Sequence, residues 1–225
     1  MKHTSICTIL FVLCSSWMTT MAAPLDKRGI KSCYNNVLIT EYWIPKEGDK
    51  DMLNDGQLIT LSGPKTKALK TVNGKTIAKV SQKTYEKFQM EGTGLLKDGV
   101  MVNLDNGKDS FITLDRKKTP YGLGTDSGKL TPWVSVAVND VKKGTKLYIK
   151  KLDGLKLPNG RVHNGCVRVD DEGWSMSGCH IDFFVLQYSA YKDLSNKLPN
   201  KLKAVQKNCV IKDYVSSATK KWAVL

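Results

Sequence analysis

One stretch of the 225-residue chain gathers most of its chemically useful side chains. It reads His163-Asn-Gly-Cys-Val-Arg-Val-Asp170-Asp171-Glu172-Gly173-Trp-Ser-Met-Ser-Gly178-Cys-His180-Ile-Asp182-Phe-Phe-Val. Two apolar strands each present an aspartate, and a loop bounded by Gly173 and Gly178 joins them. Neighbouring strands would converge the two carboxylates on one surface. Crowding and partial burial then raise one pKa, so that a proton remains available near neutral pH. Scission of a glycosidic bond requires such a proton from a general acid. On composition alone, Asp170, Asp171 and Glu172 fit a solvated turn equally well. His163 and His180 flank the cluster. Strand-end histidines bonded to backbone are expected there, with a part in proton transfer as the alternative.

The elements that must hold these residues read as strands. Val37–Thr40, Phe111–Leu114, Trp133–Val138, Lys146–Ile149, Cys166–Val169 and Ile181–Val185 are short β-branched or aromatic runs. Turn dipeptides punctuate them: Asn73-Gly74, Asp98-Gly99, Asn106-Gly107, Asp153-Gly154, Asn159-Gly160 and Asn164-Gly165. Only Tyr188–Leu198 carries a helical pattern, which Pro199 ends. The spacing predicts an all-β barrel or sandwich.

Before residue 29 the chain reads as processing signals. Lys2, the apolar Ile6–Val12 and the small Thr20-Met21-Ala22 predict a secretory signal over residues 1–22. Residues 23–28 follow as a propeptide ending in the dibasic Lys27-Arg28, which resembles a kexin-type processing site. The mature domain is therefore expected at 29–225, secreted and extracellular. No stretch approaches the 18 apolar residues of a membrane-spanning helix. Four cysteines remain, Cys33, Cys166, Cys179 and Cys209, and an even count in a secreted chain predicts two disulfides among three possible pairings. Cys166 and Cys179 flank one loop, while Cys33 and Cys209 lie near opposite ends, so Cys166–Cys179 and Cys33–Cys209 are the expected pairs.

The whole chain carries 35 Lys+Arg against 21 Asp+Glu, a net charge of +14. Removing residues 1–28 leaves 32 against 20, or +12, and half of that excess lies in residues 186–225. The carboxylate cluster is thus a local acidic patch in a basic protein. Strong positive charge suits an anionic partner. Nucleic acid is disfavoured, because no recognition motif appears and aromatics do not interleave the lysine-rich tail. Neither metal-ligand spacing nor a Gly-rich phosphate loop implies a cofactor.

Val134-Ser-Val-Ala-Val-Asn139, Gly144-Thr-Lys-Leu-Tyr-Ile149 and the Gly165-to-Phe184 segment together resemble the three-aspartate ("3D") domain. That domain is a double-psi β-barrel, shared with lytic murein transglycosylase A and related to rare lipoprotein A and expansins. Leu38-Ile-Thr40-Glu-Tyr42 is similar to the family's opening Thr-x-Tyr strand, and Glu91-Gly-Thr-Gly with Asp98-Gly adds a weaker match. The resemblance implies a double-psi barrel with a small β-rich lobe inserted at about 46–130 and a short C-terminal helix. It places the three aspartates on Asn139, Asp171 and Asp182. Asp182 is then the expected general acid and Asp171 its partner, while Asn139 departs from the pattern at a position read as structural. Tyr42 resembles the family's cleft-lining tyrosine, and with Thr40, Trp174, Gly178 and His163 it makes up the expected substrate-binding set. Trp43 is expected in the core and Glu41 outside the cleft.

The function implied is cleavage of the β-1,4 bond of bacterial peptidoglycan by a muramidase or lytic transglycosylase, acting as a monomer on an anionic wall. Two carboxylates tilt the expectation slightly toward hydrolysis. The alternatives are a non-catalytic, expansin-like polysaccharide-binding protein or effector, and a cellulase or chitinase on the same fold.

Overall fold

Residues 29–105 and 107–224 are described by a computed structural model. The expected signal and propeptide segments lie outside the described residues. A 3-10 turn at Ser32–Asn36 leads into β1 (Val37–Tyr42). Then follow β2 (Lys50–Met52), β3 (Leu58–Thr60), β4 (Lys67–Lys70), β5 (Thr76–Val80), α1 (Gln82–Glu91), β6 (Thr93–Leu95), β7 (Met101–Leu104) and β8 (Phe111–Leu114). The second half holds β9 (Ser135–Ala137), β10 (Lys146–Lys156), β11 (Val162–Asp171), β12 (His180–Phe184), α2 (Tyr188–Leu194), β13 (Lys201–Leu202), β14 (Ala204–Gln206) and α3 (Ser217–Val224).

Seven strands form one mixed sheet in the order β13-β1-β12-β9-β11-β10-β14. The 3-10 turn packs against both outer strands, β13 and β14, so the sheet is nearly closed into a barrel. Val37, Ile39, Val136, Leu147, Val167, Val169, Ile181 and Phe183 fill the interior. Alternation does the sorting: in β12, Ile181 and Phe183 are buried while His180 and Asp182 between them stay partly open. β1 runs parallel to β12 and β9 parallel to β11. Parallel neighbours require long crossover connections, and the inserted lobe forms part of the connection from β1.

That lobe contains the β2–β3 and β4–β5 hairpins, the β6–β7–β8 meander and α1. Leu69, Val80, Phe88, Leu96, Val102 and Phe111 make its own core, while Leu95 and Met101 join the barrel's core and dock the lobe on it. The all-β expectation with an inserted β-rich lobe therefore holds.

Three expectations are corrected. α1 is not expected from apolar periodicity, because Tyr85, Phe88 and Met90 are its only large apolar residues. Its ends were nonetheless legible: the Ser81 hydroxyl accepts from the Thr84 N–H, and Gly92 caps the C-terminus at φ 75°. α2 stops at Leu194 rather than Leu198, and the chain continues as tight turns in which the Lys197 and Leu198 N–H groups both donate to the Leu194 carbonyl. Two predicted turns are instead bulges. Asp153-Gly154 and Asn164-Gly165 face each other inside the β10–β11 ladder, where the register shifts on both sides of Asp153. Gly165 sits at φ 80°, and a β-carbon there would come within 2.7 Å of the Tyr148 ring.

The disulfides are also paired differently from the expectation. Cys33 bonds Cys179 and Cys166 bonds Cys209, rather than Cys166–Cys179 and Cys33–Cys209. The sheet order explains this. Cys166 lies on β11 and Cys179 immediately before β12, with β9 between them. Strands two apart are about 10 Å apart, beyond disulfide reach.

Candidate active site

Strand register places the two aspartates. Thr40 on β1 pairs with Asp182 on β12, Asp182 pairs with Ala137 on β9, and Ala137 pairs with Asp171 on β11. One rung across four strands thus reads Thr40, Asp182, Ala137, Asp171. The small, buried Ala137 stands between the two aspartates in this rung. Asp171 reaches this rung because a bulge falls between Val169 and Asp171. Asp170 becomes the extra residue and points elsewhere, accepting from Ser135 Oγ (2.5 Å) and from Arg168 Nε and Nη2 (2.5 and 2.9 Å).

Asp182 accepts a hydrogen bond from the Thr40 hydroxyl at 2.8 Å. The residue keeps part of its surface in water, but protein atoms crowd its carboxyl. Burial pushes its pKa up to about 8, against the Thr40 bond and with help from the charges of Glu91, Glu41 and Asp171. Among the described residues no cation pairs with it. Glu41, half-buried, is itself pushed up to about 7 by burial. Wherever it lies relative to the cleft, its charge acts on Asp182.

Asp171 is a different kind of carboxylate. Its Oδ1 accepts from the Thr125 N–H (2.8 Å), the Thr125 hydroxyl (3.1 Å) and the Glu172 N–H (2.8 Å). Its Oδ2 accepts from the Tyr42 hydroxyl at 3.3 Å. Burial raises its pKa while these donors pull it back. Gly124 admits the Thr125 loop, since a β-carbon there would lie 2.7 Å from the Asp170 carbonyl and 2.9 Å from the Asp171 carboxyl.

Asn139 and Asp140 hold the loop between the aspartates at its two ends. Asn139 Nδ2 donates to the carbonyls of Gly173 and Met176, each at 2.8 Å, and its Oδ1 accepts from the Gly173 N–H. Asp140 accepts from the Cys179 N–H at 3.1 Å, from the Tyr34 hydroxyl, and from Lys31 at 3.0 Å. Burial would raise the Asp140 pKa, but these partners hold it below the usual carboxylate range. Gly178 packs directly on Asp140, whose Oδ2 a β-carbon would meet at 2.6 Å.

The remaining predicted residues divide. Tyr42 is buried against Phe184, ring centroids 5.1 Å apart, with its hydroxyl on Asp171. Trp174 is 53% exposed, the indole N–H donating to the Met90 carbonyl of α1 at 3.3 Å and Lys108 lying 4.3 Å over its ring. His163, expected at the substrate, is instead buried with both nitrogens occupied. Nδ1 accepts from the Gly165 N–H, so Nε2 donates to the Trp133 carbonyl at 2.8 Å. Burial pushes its pKa down to about 4, and the ring stacks on Tyr214. His180 does not follow the backbone-bonded expectation: its Nε2 lies 2.8 Å from the Thr40 hydroxyl.

Sequence reasoning missed the groups supplied by the lobe. Lys87 of α1 is fully buried between Glu91 (2.5 Å) and Asp51 (3.6 Å), and lies 4.1 Å over the Trp43 ring. Trp43 donates to Asp51 from its indole and to Glu91 from its backbone. The i,i+4 spacing of Lys87 and Glu91 was the available signal. Two cavities, about 650 Å³ beside Lys156–Gly160 and about 380 Å³ between Lys46–Asp51 and Gln187–Lys192, lie apart from the aspartates.

No protein-family model matches the sequence, and no curated protein matches it. Among solved structures, the chain is similar to a membrane-bound lytic murein transglycosylase from Agrobacterium tumefaciens (11% identity, TM-score 0.47, covering 79% of this chain and 73% of that one). It is also similar to MltA of E. coli with bound chitohexaose (14% identity, TM-score 0.45, 77% and 72%). A third is the lytic transglycosylase LtgG of Burkholderia pseudomallei (15% identity, TM-score 0.41, 76% and 72%).

Proposed function

We propose that the chain is a secreted enzyme that cleaves the β-1,4 glycosidic bond of bacterial peptidoglycan, with Asp182 as general acid. One observation carries this reading: a partly open carboxyl whose pKa is pushed up to about 8, with, among the described residues, one hydrogen-bond donor and no cation beside it. Such a group holds its proton at neutral pH and gives it up where a substrate oxygen can reach it. The choice of peptidoglycan rests on the sequence resemblance to the three-aspartate domain and on the lysine-rich surface, which would concentrate the protein on an anionic wall.

Asp171 bears on the route. A carboxylate that activates water needs acceptor capacity to spare. Asp171 already accepts three hydrogen bonds on Oδ1 and one on Oδ2. It is suited to orient Tyr42 and the Thr125 loop rather than to deprotonate a water. The sequence expectation leaned to hydrolysis, but this geometry favours transglycosylation. Asp182 protonates the leaving oxygen, and the glycosidic bond breaks. The Asp182 carboxylate then takes the proton of a hydroxyl on the same sugar as that oxygen closes on the anomeric carbon. Trp174, exposed on the loop between the aspartates, offers a stacking face for a sugar ring.

Mass spectrometry of products from purified peptidoglycan tests the proposal. Anhydro ends are expected, with none from Asp182→Asn. Reducing muramic ends would overturn the transglycosylase route while keeping the glycosidase. Absence of soluble products from the wild type, with binding retained, would leave a non-catalytic polysaccharide-binding protein.

A further inference from the structure

The parallel register of β1 and β12 sets Leu38 opposite His180 and Thr40 opposite Asp182. Residues two apart on a strand face the same side, so His180 and Asp182 flank the Thr40 hydroxyl. That oxygen lies 2.8 Å from His180 Nε2 and 2.8 Å from Asp182 Oδ1. We propose that His180 is a positioning residue for Asp182, acting through Thr40 by supplying whichever hydrogen bond the hydroxyl lacks in each protonation state of the carboxyl. The proposal rests on the reading of Asp182 as general acid.

A hydroxyl has one proton to donate and lone pairs to accept with. When Asp182 is ionised, the Thr40 O–H points at Oδ1, and its lone pair faces His180, which must then carry a proton on Nε2. When Asp182 is protonated and donates to Thr40, the Thr40 O–H turns to His180, whose Nε2 must be bare with the proton on Nδ1. In changing tautomer, the ring releases one N–H proton to water and takes one from water at the other nitrogen, so its charge stays zero. Burial lowers the His180 pKa, which favours the neutral ring. A neutral partner matters because the other groups facing Asp182 are acidic or phenolic: Glu41 and Tyr42 from β1, Asp171 from β11 and Glu91 from α1. The same carboxyl must serve first as acid and then as base, so both states need a satisfied Thr40. The backbone at His180 is fixed for this task, because Cys179 before it is bonded to Cys33 and its N–H is held by Asp140.

The test is 15N NMR of histidine-labelled full-length protein between pH 5 and pH 9. The His180 tautomer is expected to change with an inflection that tracks Asp182 and vanishes in Asp182→Asn. A tautomer that stays constant through that range overturns the proposal, and no substrate is needed to see it. In cleavage assays, His180→Phe should lower kcat about tenfold with little change in KM and displace the alkaline limb of the pH profile. His180→Gln, whose amide can donate or accept, should recover part of the loss. Equal losses in both variants, or a change confined to KM, overturn the proposal. Full lysis by Asp182→Asn overturns the general acid and with it this role, whereas a constant tautomer in a lytic wild type overturns only the role of His180.

Discussion

An aspartate held neutral at pH 7 has a thermodynamic consequence at the residue scale. The folded pKa of Asp182, about 8, lies above the unfolded value of about 3.9. The unfolded chain therefore loses this proton first as pH rises. The stability associated with the neutral carboxyl is complete below about pH 4 and is lost as pH climbs through about 8. Asn at this position can still accept from Thr40 but cannot ionise. Asp182→Asn should be as stable as wild type at pH 4 and about 1–3 kcal/mol more stable at pH 8, the figure being reduced because the residue is partly open to solvent. Urea unfolding at the two pH values measures this. Equal stability at pH 8 would mean that the carboxyl is ionised there at no cost. Wild-type activity should fall in the same direction, above about pH 8, as the acid form is titrated away. The strands β1, β11 and β12 were legible from local β-propensity, while Asp171, Asp182, Thr40 and Tyr42 were singled out within them by the resemblance to the three-aspartate domain. Glu91 and Thr125 were not legible, because they come from segments that meet the strands only after folding.

At the element scale, the loop between β11 and β12 depends on an amide rather than an acid. Asn139 donates two hydrogen bonds to carbonyls and accepts one from an N–H. A carboxylate in its place would keep the accepted bond but set its second oxygen against the Gly173 and Met176 carbonyls. Asn139→Asp should therefore destabilise the protein by about 1–3 kcal/mol at neutral pH. The cost should shrink in acid, where the protonated carboxyl can donate once. Thermal denaturation at pH 4 and pH 7 separates these outcomes, and a variant as stable as wild type at pH 7 would show that the loop does not need the amide. The departure at position 139 thus reads as an adapted loop rather than a lost site. The bulge at Asp170 belongs to the same scale. A period-two pattern cannot say which of two adjacent aspartates faces the cleft, and the β9–β11 register decides it.

For the whole molecule, the two disulfides tie distant parts of the chain to the site. Cys33–Cys179 spans 146 residues and joins the turn before β1 to the start of β12. Cys166–Cys209 spans 43 and joins β11 to the segment after β14. Chain entropy assigns about 5 and about 4 kcal/mol to loops of those lengths. Reduction should therefore lower Tm by more than 10 °C and abolish lysis, as read by calorimetry and turbidity in the presence and absence of dithiothreitol. A non-reducing digest should yield the Cys33 peptide linked to that of Cys179. A Cys166–Cys179 peptide would contradict the strand order β12-β9-β11.

By itself, the sequence determined the all-β class and the carboxylates worth pursuing, since strand propensity, turn dipeptides and residue chemistry are local properties, while the inserted lobe came from the resemblance. It also carried the cue to a cell-wall glycan, as an ordered set of motifs. Only the tertiary structure decided the cysteine partners, which of Asp170 and Asp171 enters the rung, that His163 is occupied while His180 meets Thr40, and that the charge of Glu91 acts on Asp182. Each of those depends on strand order, on a bulge, or on a lobe docking against a barrel. Such non-local contacts leave no period in the chain, and they set the burial that holds a proton on Asp182.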